Sequence, residues 1–198
     1  MSNFCKICLK EFEYHGIFKK TCICNSCFKQ FKIIDQKEKI DGVITHFIYE
    51  YNSFFKTQLF HYKGCYDYEL RSIFLDRFKY EIKIKYSSYI IIPLPSTKKD
   101  DEKRGFNHVE EIFSSLNIKI IKAIYKNKDF KQSDRSKQER SKVKYDFSIK
   151  ENIDLKNKKI LIVDDILTTG SSLRSAINLV KSKNPKTINA LIIARKLD

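Results

Sequence analysis

Two adjacent aspartates, Asp164 and Asp165, stand directly before a loop rich in hydroxyl groups. Carboxylates accept hydrogen bonds and donate none, so a neighbouring pair suits two vicinal hydroxyls of a sugar. The loop can hold a phosphate, because glycine lets the backbone approach a ligand and hydroxyls add donors. Its candidate phosphate-binding residues are Thr168, Thr169, Gly170, Ser171 and Ser172. A phosphate close to a sugar diol describes a ribose 5-phosphate, and this stretch predicts a site for one.

The residues on either side of this stretch predict the elements that position it. Residues 160–163 are apolar without interruption, which is typical of a strand buried on both faces. Leu173, Ala176, Ile177 and Val180 repeat at helical spacing along one face. A turn between such a strand and such a helix receives the unpaired N–H groups of the helix. The alternative is a surface turn whose acids only cap a helix. It is disfavoured because the two acids precede the start of the helix by too many residues to cap it.

Cysteine clustering indicates a second kind of chemistry near the N-terminus, because five of the six cysteines fall within the first 27 residues. Two Cys-x2-Cys pairs have the spacing of a structural zinc site, and zinc can fold so short a segment. The candidate ligands are Cys5, Cys8, Cys24 and Cys27. Two alternatives stay open: Cys22 or His15 replaces one ligand, or the cysteines are buried free thiols. Four thiolates leave no open position, which disfavours catalytic zinc.

Length and composition limit the class of protein. A chain of 198 residues with 42% hydrophobic residues can bury a core and hold one ordinary domain plus a small appendage. The sequence does not open with a secretory signal pattern, and the longest apolar run, near residues 90–94, is too short for a bilayer. We therefore expect a folded protein that is neither exported nor inserted in a membrane.

The net charge of +15 is concentrated in one segment, since residues 119–150 contain eleven lysines and arginines against four acids. Basic surfaces bind nucleic acids through phosphate contacts and counterion release. The candidate contacts in this basic arm are Lys137, Arg140, Lys142 and Lys144. The alternative is a solvated face in a lysine- and isoleucine-rich sequence of the kind that an AT-rich genome encodes.

Alternating strand and helix patterns predict an α/β fold with a doubly wound parallel sheet. We expect a zinc ribbon and linker at residues 1–40, with residues 29–41 as the link, and an α/β domain at residues 41–198. The expected strands are 43–49, 89–95, 118–121, 160–163 and 187–194, the last closing the sheet. The expected helices are 53–64, 68–83 and 106–116, with a loop at 96–105 and an arm at 130–150.

The central stretch resembles the phosphoribosyl-pyrophosphate (PRPP) signature of type I phosphoribosyltransferases. In that signature, four apolar residues precede two acids and a Thr-Gly-x-Ser/Thr loop follows. The matching positions here are Asp164, Asp165, Thr169, Gly170 and Ser172.

A cysteine ribbon joined to such a domain resembles the ComF (ComFC) family of competence proteins over essentially the whole chain. The resemblance includes Pro93-Leu94-Pro95, Arg104-Gly105-Phe106-Asn107 and residues 132–140 followed by Phe147. Two positions depart from the family pattern: His108 stands where glutamine is usual, and Lys142 stands near a usual asparagine.

The resemblance implies a cytoplasmic factor for uptake of transforming DNA, which acts on incoming single-stranded DNA beside a helicase-like partner. The second hypothesis is an active phosphoribosyltransferase with PRPP as donor. Asp164 and Asp165 would then hold the ribose hydroxyls, and Mg²⁺ would neutralise the pyrophosphate. Arg104 and Arg140 are the candidates to close over that pyrophosphate. The sequence identifies no acceptor.

Overall fold

A five-stranded mixed sheet forms the centre of the protein in a computed structural model, which describes residues 3–13, 21–126 and 147–197. The strands are β1 (Asn3–Phe4), β2 (Glu11–Phe12), β3 (Ile33–Ile40), β4 (Val43–Glu50), β5 (Ile90–Pro93), β6 (Ile124–Lys126), β7 (Phe147–Ile149), β8 (Lys159–Leu167) and β9 (Thr187–Arg195). The central sheet has the order β3-β4-β9-β8-β5, and β1-β2 and β6-β7 are separate pairs. β4, β9, β8 and β5 run parallel, whereas β3 is antiparallel to β4.

Helices cover both faces of this sheet. They are α1 (Asn25–Phe28), α2 (Ser53–Gly64), α3 (Lys79–Tyr86), α4 (Lys98–Arg104), α5 (His108–Ser114) and α6 (Ser171–Lys181), with a 3₁₀ turn at Tyr68–Ser72. Apolar residues of α2, α3 and α5 pack in one buried cluster with Leu161 and Val163. Those of α6 pack in another with Ile160 and Ile162. The doubly wound α/β prediction is confirmed, with the addition of an antiparallel edge strand.

No described helix is both long enough and apolar enough to cross a bilayer.

The cysteine-rich segment packs directly on the α/β body. Its buried residues Cys5, Ile23 and Cys27 belong to the same apolar cluster as the core of the body. Polar contacts fix it as well: Lys6 Nζ lies 2.7 Å from Glu69 Oε2, and the Cys22 N–H donates to Asp76 Oδ1 over 2.8 Å. Most of residues 29–41, which are expected to link the ribbon to the body, form the edge strand β3 of the central sheet.

Several element predictions are confirmed with shifted ends. The helix expected from residue 53 starts where Asn52 Oδ1 accepts the N–H of Phe55 over 2.8 Å. The strands expected at residues 43–49 and 187–194 are β4 and β9. However, β9 lies between β4 and β8 in the sheet interior, so it does not close an edge.

Three element predictions are wrong. The helix expected at residues 68–83 is divided into a 3₁₀ turn and α3, and the strand expected at 118–121 is reduced to one bridge between Ile91 and Ile120. The loop expected at 96–105 contains α4. Capping explains this helix: Thr97 Oγ1 accepts the Asp100 N–H over 3.1 Å, and Asp100 and Asp101 in the first turn with Lys103 and Arg104 in the last turn suit the helix dipole. Residues 127–146 of the expected basic arm lie outside the described residues.

Candidate functional site

The end of β8 and the start of α6 bring the predicted acids and the predicted phosphate loop together. Asp164 and Asp165 lie within β8, and the helix begins at Ser171 after Gly170. Gly170 adopts a φ of +77°, a left-handed conformation that is strained for other residues. This conformation turns the chain from the strand into the helix, so that the helix N-terminus lies at the carboxyl end of the sheet.

A cleft of about 240 Å³ opens beside the two aspartates. The residues that line it include Lys63, Arg104, His108, Asp164, Asp165 and Ser172, with Lys126 and Phe147 from the β6-β7 pair. Of the predicted site residues, the structure therefore brings Asp164, Asp165, Arg104 and Ser172 to one cavity. Thr168, Thr169 and Ser171 are exposed on the adjoining turn, where Thr169 Oγ1 lies 3.1 Å from Ser171 Oγ.

The two carboxylates have different surroundings because neighbouring strand residues point to opposite faces of a sheet. Asp165 shares a face with Val163 and is 5% exposed. Its Oδ2 accepts from Lys63 Nζ over 2.8 Å and from His108 Nε2 over 3.2 Å. Asp164 is half-buried, and its Oδ1 accepts the backbone N–H of Asp165 over 2.9 Å. Asp165 is thus neutralised by side chains of the protein, whereas the contact of Asp164 is with the backbone of its neighbour.

These surroundings separate the proton affinities of the two acids. Burial alone would raise the pKa of Asp165, but the hydrogen bond from His108 and the charge of Lys63 hold it well below its usual range. Burial raises the pKa of Asp164, and the negative charge of Asp165 raises it further. At neutral pH, Asp165 is the firmly ionised member of the pair.

The imidazole of His108 donates to Asp165 and accepts from Arg104. Arg104 Nη1, which can only donate, lies 3.2 Å from His108 Nδ1. The proton of a neutral imidazole must then reside on Nε2, which faces Asp165. Burial lowers the pKa of His108 despite the neighbouring carboxylate, so the neutral form predominates near pH 7. The Tyr62 hydroxyl also donates to the His108 carbonyl, over 2.9 Å, and fixes the first turn of α5.

The guanidinium of Arg104 is engaged by the protein. Its Nη1 lies 3.1 Å from Asp101 Oδ1, and its Nε donates to the Lys63 carbonyl over 3.3 Å. The side chain is 8% exposed. A pyrophosphate contact by Arg104 therefore stays a prediction that requires these contacts to be exchanged. Arg140, the second candidate, lies outside the described residues.

Sequence reasoning missed Lys63 altogether and noted His108 only as a departure from a family pattern. Lys63 lies in the last turn of α2, where a lysine is ordinarily explained by the helix dipole. It is 102 positions away from Asp165. His108 follows Asn107, whose side chain caps α5 by accepting the Glu110 N–H over 2.9 Å. The sequence did contain one signal for His108. It is a polar residue directly after a helix cap, on a helix that the fold places beside the acids.

The candidate metal centre is assembled in the N-terminal segment. The sulfur atoms of Cys5, Cys8, Cys24 and Cys27 all lie within 4.8 Å of one another. Burial opposes ionisation of Cys5, but backbone N–H groups, first that of Cys8, lower its pKa to about 7. Four convergent sulfurs fit a structural Zn²⁺, so these residues would hold the ion. The cluster is the one predicted from the spacing.

Cys22, the alternative ligand, is directed away from that cluster. Its Sγ lies 3.4 Å from Ser72 Oγ of the 3₁₀ turn. Burial and the charge of Asp76 raise the pKa of Cys22 to about 12, so it remains a thiol. This environment favours an interface role over a ligand role. His15, the other alternative, lies outside the described residues.

A larger cleft of about 660 Å³ adjoins the first and shares Leu94, Pro95, Ser96 and Lys126 with it. Lysines from several elements line it: Lys98, Lys122, Lys126 and Lys150. Buried apolar residues such as Leu94 and Ile124 also line it, and the ring of Tyr125 is 37% exposed. Two of the lysines are paired, because Lys122 Nζ lies 2.6 Å from Glu110 Oε2 and Lys98 Nζ lies 3.7 Å from Glu102 Oε1.

Comparison with known proteins finds matches for the α/β body. Residues 102–198 match the family model of the phosphoribosyl transferase domain. Among solved structures, the chain is similar to the allosteric regulatory enzyme of purine biosynthesis (13% identity, TM-score 0.41), covering 63% of this chain and 26% of that enzyme. It is also similar to a hypoxanthine phosphoribosyltransferase from Staphylococcus aureus (15% identity, TM-score 0.40), covering 66% and 69%.

Two curated relatives refine this class. The chain is 29% identical to competence protein ComFC of Streptococcus pneumoniae over 154 residues, which are 78% of this chain and 69% of that protein. It is 23% identical to competence protein ComFC of Bacillus subtilis over 183 residues, which are 91% of this chain and 72% of that protein. The chain is therefore similar to the ComFC competence proteins, and its residues 102–198 match a phosphoribosyl transferase domain.

Proposed function

We propose that this protein is a cytoplasmic factor of natural transformation that acts on incoming single-stranded DNA and retains a ribose-phosphate site. The observation that carries the proposal is the likeness to two competence proteins, one of which extends over 91% of the chain. Zn²⁺ is the structural metal of this proposal, and PRPP or a related ribose phosphate is its ligand.

The chemistry of the acid pair separates the ribose-phosphate ligand from the DNA. Carboxylates bind free hydroxyls, whereas the sugar inside a DNA strand lacks a 2′-hydroxyl and has its 3′-oxygen esterified. The interior of a DNA strand therefore gives Asp164 no diol to bind. DNA would instead contact the lysine-lined cleft beside Lys126 and Lys150 and the basic arm. In this proposal a helicase-like protein delivers or receives the strand.

The first experiment tests the role of the ribose-phosphate site in cells. The double substitution Asp164→Asn with Asp165→Asn preserves shape and removes the charge that holds sugar hydroxyls. A competence factor that uses the site should lose DNA transformation and keep normal growth on purine and pyrimidine bases. Loss of nucleotide salvage with normal transformation would contradict the proposal. Metal content and circular dichroism of the purified variant establish that it is folded.

The second experiment tests DNA binding by the basic arm. Lys137, Arg140, Lys142 and Lys144 are replaced together by alanine, and affinity for a single-stranded oligonucleotide is measured by anisotropy across a salt series. The slope of log affinity against log salt should fall by up to about 3, since each phosphate contact with a single strand contributes about 0.7. A matched control removes four exposed lysines elsewhere: Lys39, Lys83, Lys156 and Lys196. Equal slopes in the two variants would contradict arm binding.

A second candidate function is transfer of the phosphoribosyl group from PRPP to an unidentified acceptor. The observation that favours it is the intact arrangement of Asp164 beside the turn that begins at Thr168. In such a reaction, Asp164 and Asp165 would orient the ribose, and the turn would hold the 5-phosphate. Mg²⁺ would supply charge neutralisation for pyrophosphate. Incubation with PRPP and a panel of bases and amines tests this function, and release of pyrophosphate above background supports it.

A further inference from the structure

The cleft contains a network of polar contacts that links three helices to one carboxylate of β8. It runs from Asp101 and Arg104 in α4, through His108 in α5, to Asp165 in β8, which Lys63 of α2 also reaches. The interatomic distances along it are 2.8 to 3.2 Å, and the Asp165 side chain is 8% exposed. This network of contacts distinguishes Asp165 from Asp164.

We propose that Lys63 and His108 are positioning residues that hold Asp165 as a fixed internal anion, so that Asp164 alone presents its carboxyl group to the sugar hydroxyls. This inference rests on the proposed ribose-phosphate site and specifies how its acid pair works. Lys63 and His108 act through Asp165 and the backbone of β8, without being required to touch the sugar.

One carboxyl oxygen of Asp165 is already occupied by protein contacts. Lys63 and His108 both contact Oδ2 of Asp165. A ligand hydroxyl that approached Oδ2 would have to compete with the Lys63 ammonium group, and leaving a partly desolvated cation without its partner is unfavourable. The Lys63 side chain is 31% exposed, so it is partly removed from water. A neutral hydroxyl is a poor substitute for that pairing.

The two acids are also linked to each other through the backbone. The Asp165 N–H donates to Asp164 Oδ1 over 2.9 Å, so the position of one acid sets the orientation of the other. When Asp165 is held from the α2 and α5 side of the sheet, the peptide between the acids is held as well. The half-buried Asp164 is then held in a fixed position where it lines the cleft. A site of this kind is organised before the sugar arrives.

Arg104 orients the imidazole of His108 towards Asp165. Arg104 donates to Nδ1 of His108, which leaves the proton on Nε2 and directs it at Asp165. Arg104 also donates to the Lys63 carbonyl over 3.3 Å. Arg104 therefore fixes both residues that contact Asp165. The groups that face His108 from neighbouring elements are Lys63, Arg104 and Asp165.

The test compares ribose 5-phosphate with inorganic phosphate as titrants in calorimetry. Lys63→Met should weaken binding of ribose 5-phosphate by about tenfold relative to binding of phosphate, because only the sugar depends on the acid pair. Lys63→Arg should recover most of that ratio, since a cation is restored. The matched control is Lys56→Met, an exposed lysine on the same helix. An unchanged ratio in folded Lys63→Met would overturn the inference, as would equal weakening of both ligands.

A measurement on the unaltered protein covers the case in which Lys63→Met does not fold. Carbon-13 resonances of the aspartate carboxyl groups are followed while ribose 5-phosphate is added, with Asp164 and Asp165 assigned from their single asparagine variants. The Asp164 resonance should shift and that of Asp165 should stay. A shift of Asp165 as large as that of Asp164 would overturn the inference. If the unaltered protein binds ribose 5-phosphate no better than phosphate, the proposed ribose-phosphate site fails and this inference falls with it.

Discussion

The cysteine cluster and the acid cleft both concentrate negative charge, but they neutralise it differently. Four sulfur atoms converge within 4.8 Å of one another, and the lysine nearest in sequence, Lys6, pairs with Glu69. The cleft supplies its own cation, since Lys63 Nζ lies 2.8 Å from Asp165 Oδ2. A metal ion held by the four sulfurs would balance their thiolates from outside the protein, whereas the cleft is balanced by side chains.

This difference predicts how each region responds to perturbation. A ribbon that binds Zn²⁺ couples metal binding to folding, so its structure should depend on metal concentration and on all four sulfurs. The cleft should depend on the pairing of individual charges inside a folded body. The two regions share one buried apolar cluster, in which Cys5 and Cys27 pack with Phe55 and Phe74. Damage to the ribbon should therefore lower the stability of the body.

The largest effect is expected from Cys24→Ser. Removing one of four thiolates should reduce bound zinc from about one ion per chain to a small fraction, because the remaining ligands do not complete a tetrahedral site. The ribbon should unfold while the body stays folded with a lower urea midpoint, which metal analysis and circular dichroism measure.

Two control substitutions sharpen this prediction. Cys65→Ser alters an exposed cysteine outside the cluster and should leave the metal content unchanged. Cys22→Ser should also retain zinc, because the Cys22 sulfur contacts Ser72. Full retention of zinc in Cys24→Ser together with its loss in Cys22→Ser would reassign the ligand.

The next largest effect separates the two acids by their contribution to stability. Asp165→Asn removes the charge that balances Lys63 and should lower the free energy of unfolding by about 1–3 kcal/mol. Asp164→Asn should change it by about 0.5 kcal/mol or less, since burial already disfavours the charged form. Urea unfolding at pH 7 measures both, with equal m-values as evidence of an unchanged native state. Similar losses in the two variants would contradict the assigned difference.

A smaller effect is expected from Gly170→Ala in the phosphate turn. Its φ of +77° costs other residues about 1–2 kcal/mol, while an added Cβ meets nothing closer than 3.9 Å. Binding of phosphate and of ribose 5-phosphate should weaken together, because both use this turn. Gly42→Ala, with a φ of +80° in the β3-β4 turn, is the control with the same strain and should leave binding unchanged. Calorimetry with the two ligands checks this.

The parts predicted from sequence are those in which one short stretch contains all its partners. Cys5, Cys8, Cys24 and Cys27 lie within 23 positions, and two knuckles bring their sulfurs together. Asp164 and Gly170 belong to one strand, turn and helix, whose apolar pattern is unambiguous. Local spacing determines local geometry in both cases, so both could be predicted.

The parts that were missed depend on contacts between distant residues or on polar signals. Lys63 meets Asp165 only because α2 packs beside β8, and no periodicity in α2 marks one of its lysines as special. α4 has no buried residue, so it lacks an apolar pattern, and only its cap and charge order indicate a helix. β3 exposes most of its residues at the sheet edge and therefore resembled a charged linker.

The smallest effect expected is a dependence of stability on pH between 7 and 5.5. Burial lowers the pKa of His108 below its usual 6.5, so the unfolded chain takes up a proton before the folded protein does. Stability should therefore be complete above pH 6.5 and should fall as the pH decreases below it. Asp165 does not contribute in this window: its low folded-state pKa gives stability that is lost only as pH falls below about 4. Burial also lowers the pKa of His46, which therefore contributes in the same direction.

Urea midpoints at several pH values should show a shallower slope in His108→Gln than in the unaltered protein. The His46→Gln variant measures the part of the pH dependence that comes from His46. A slope that His108→Gln leaves unchanged would mean that the cleft is insensitive to this proton and that its charges are balanced by Lys63 alone.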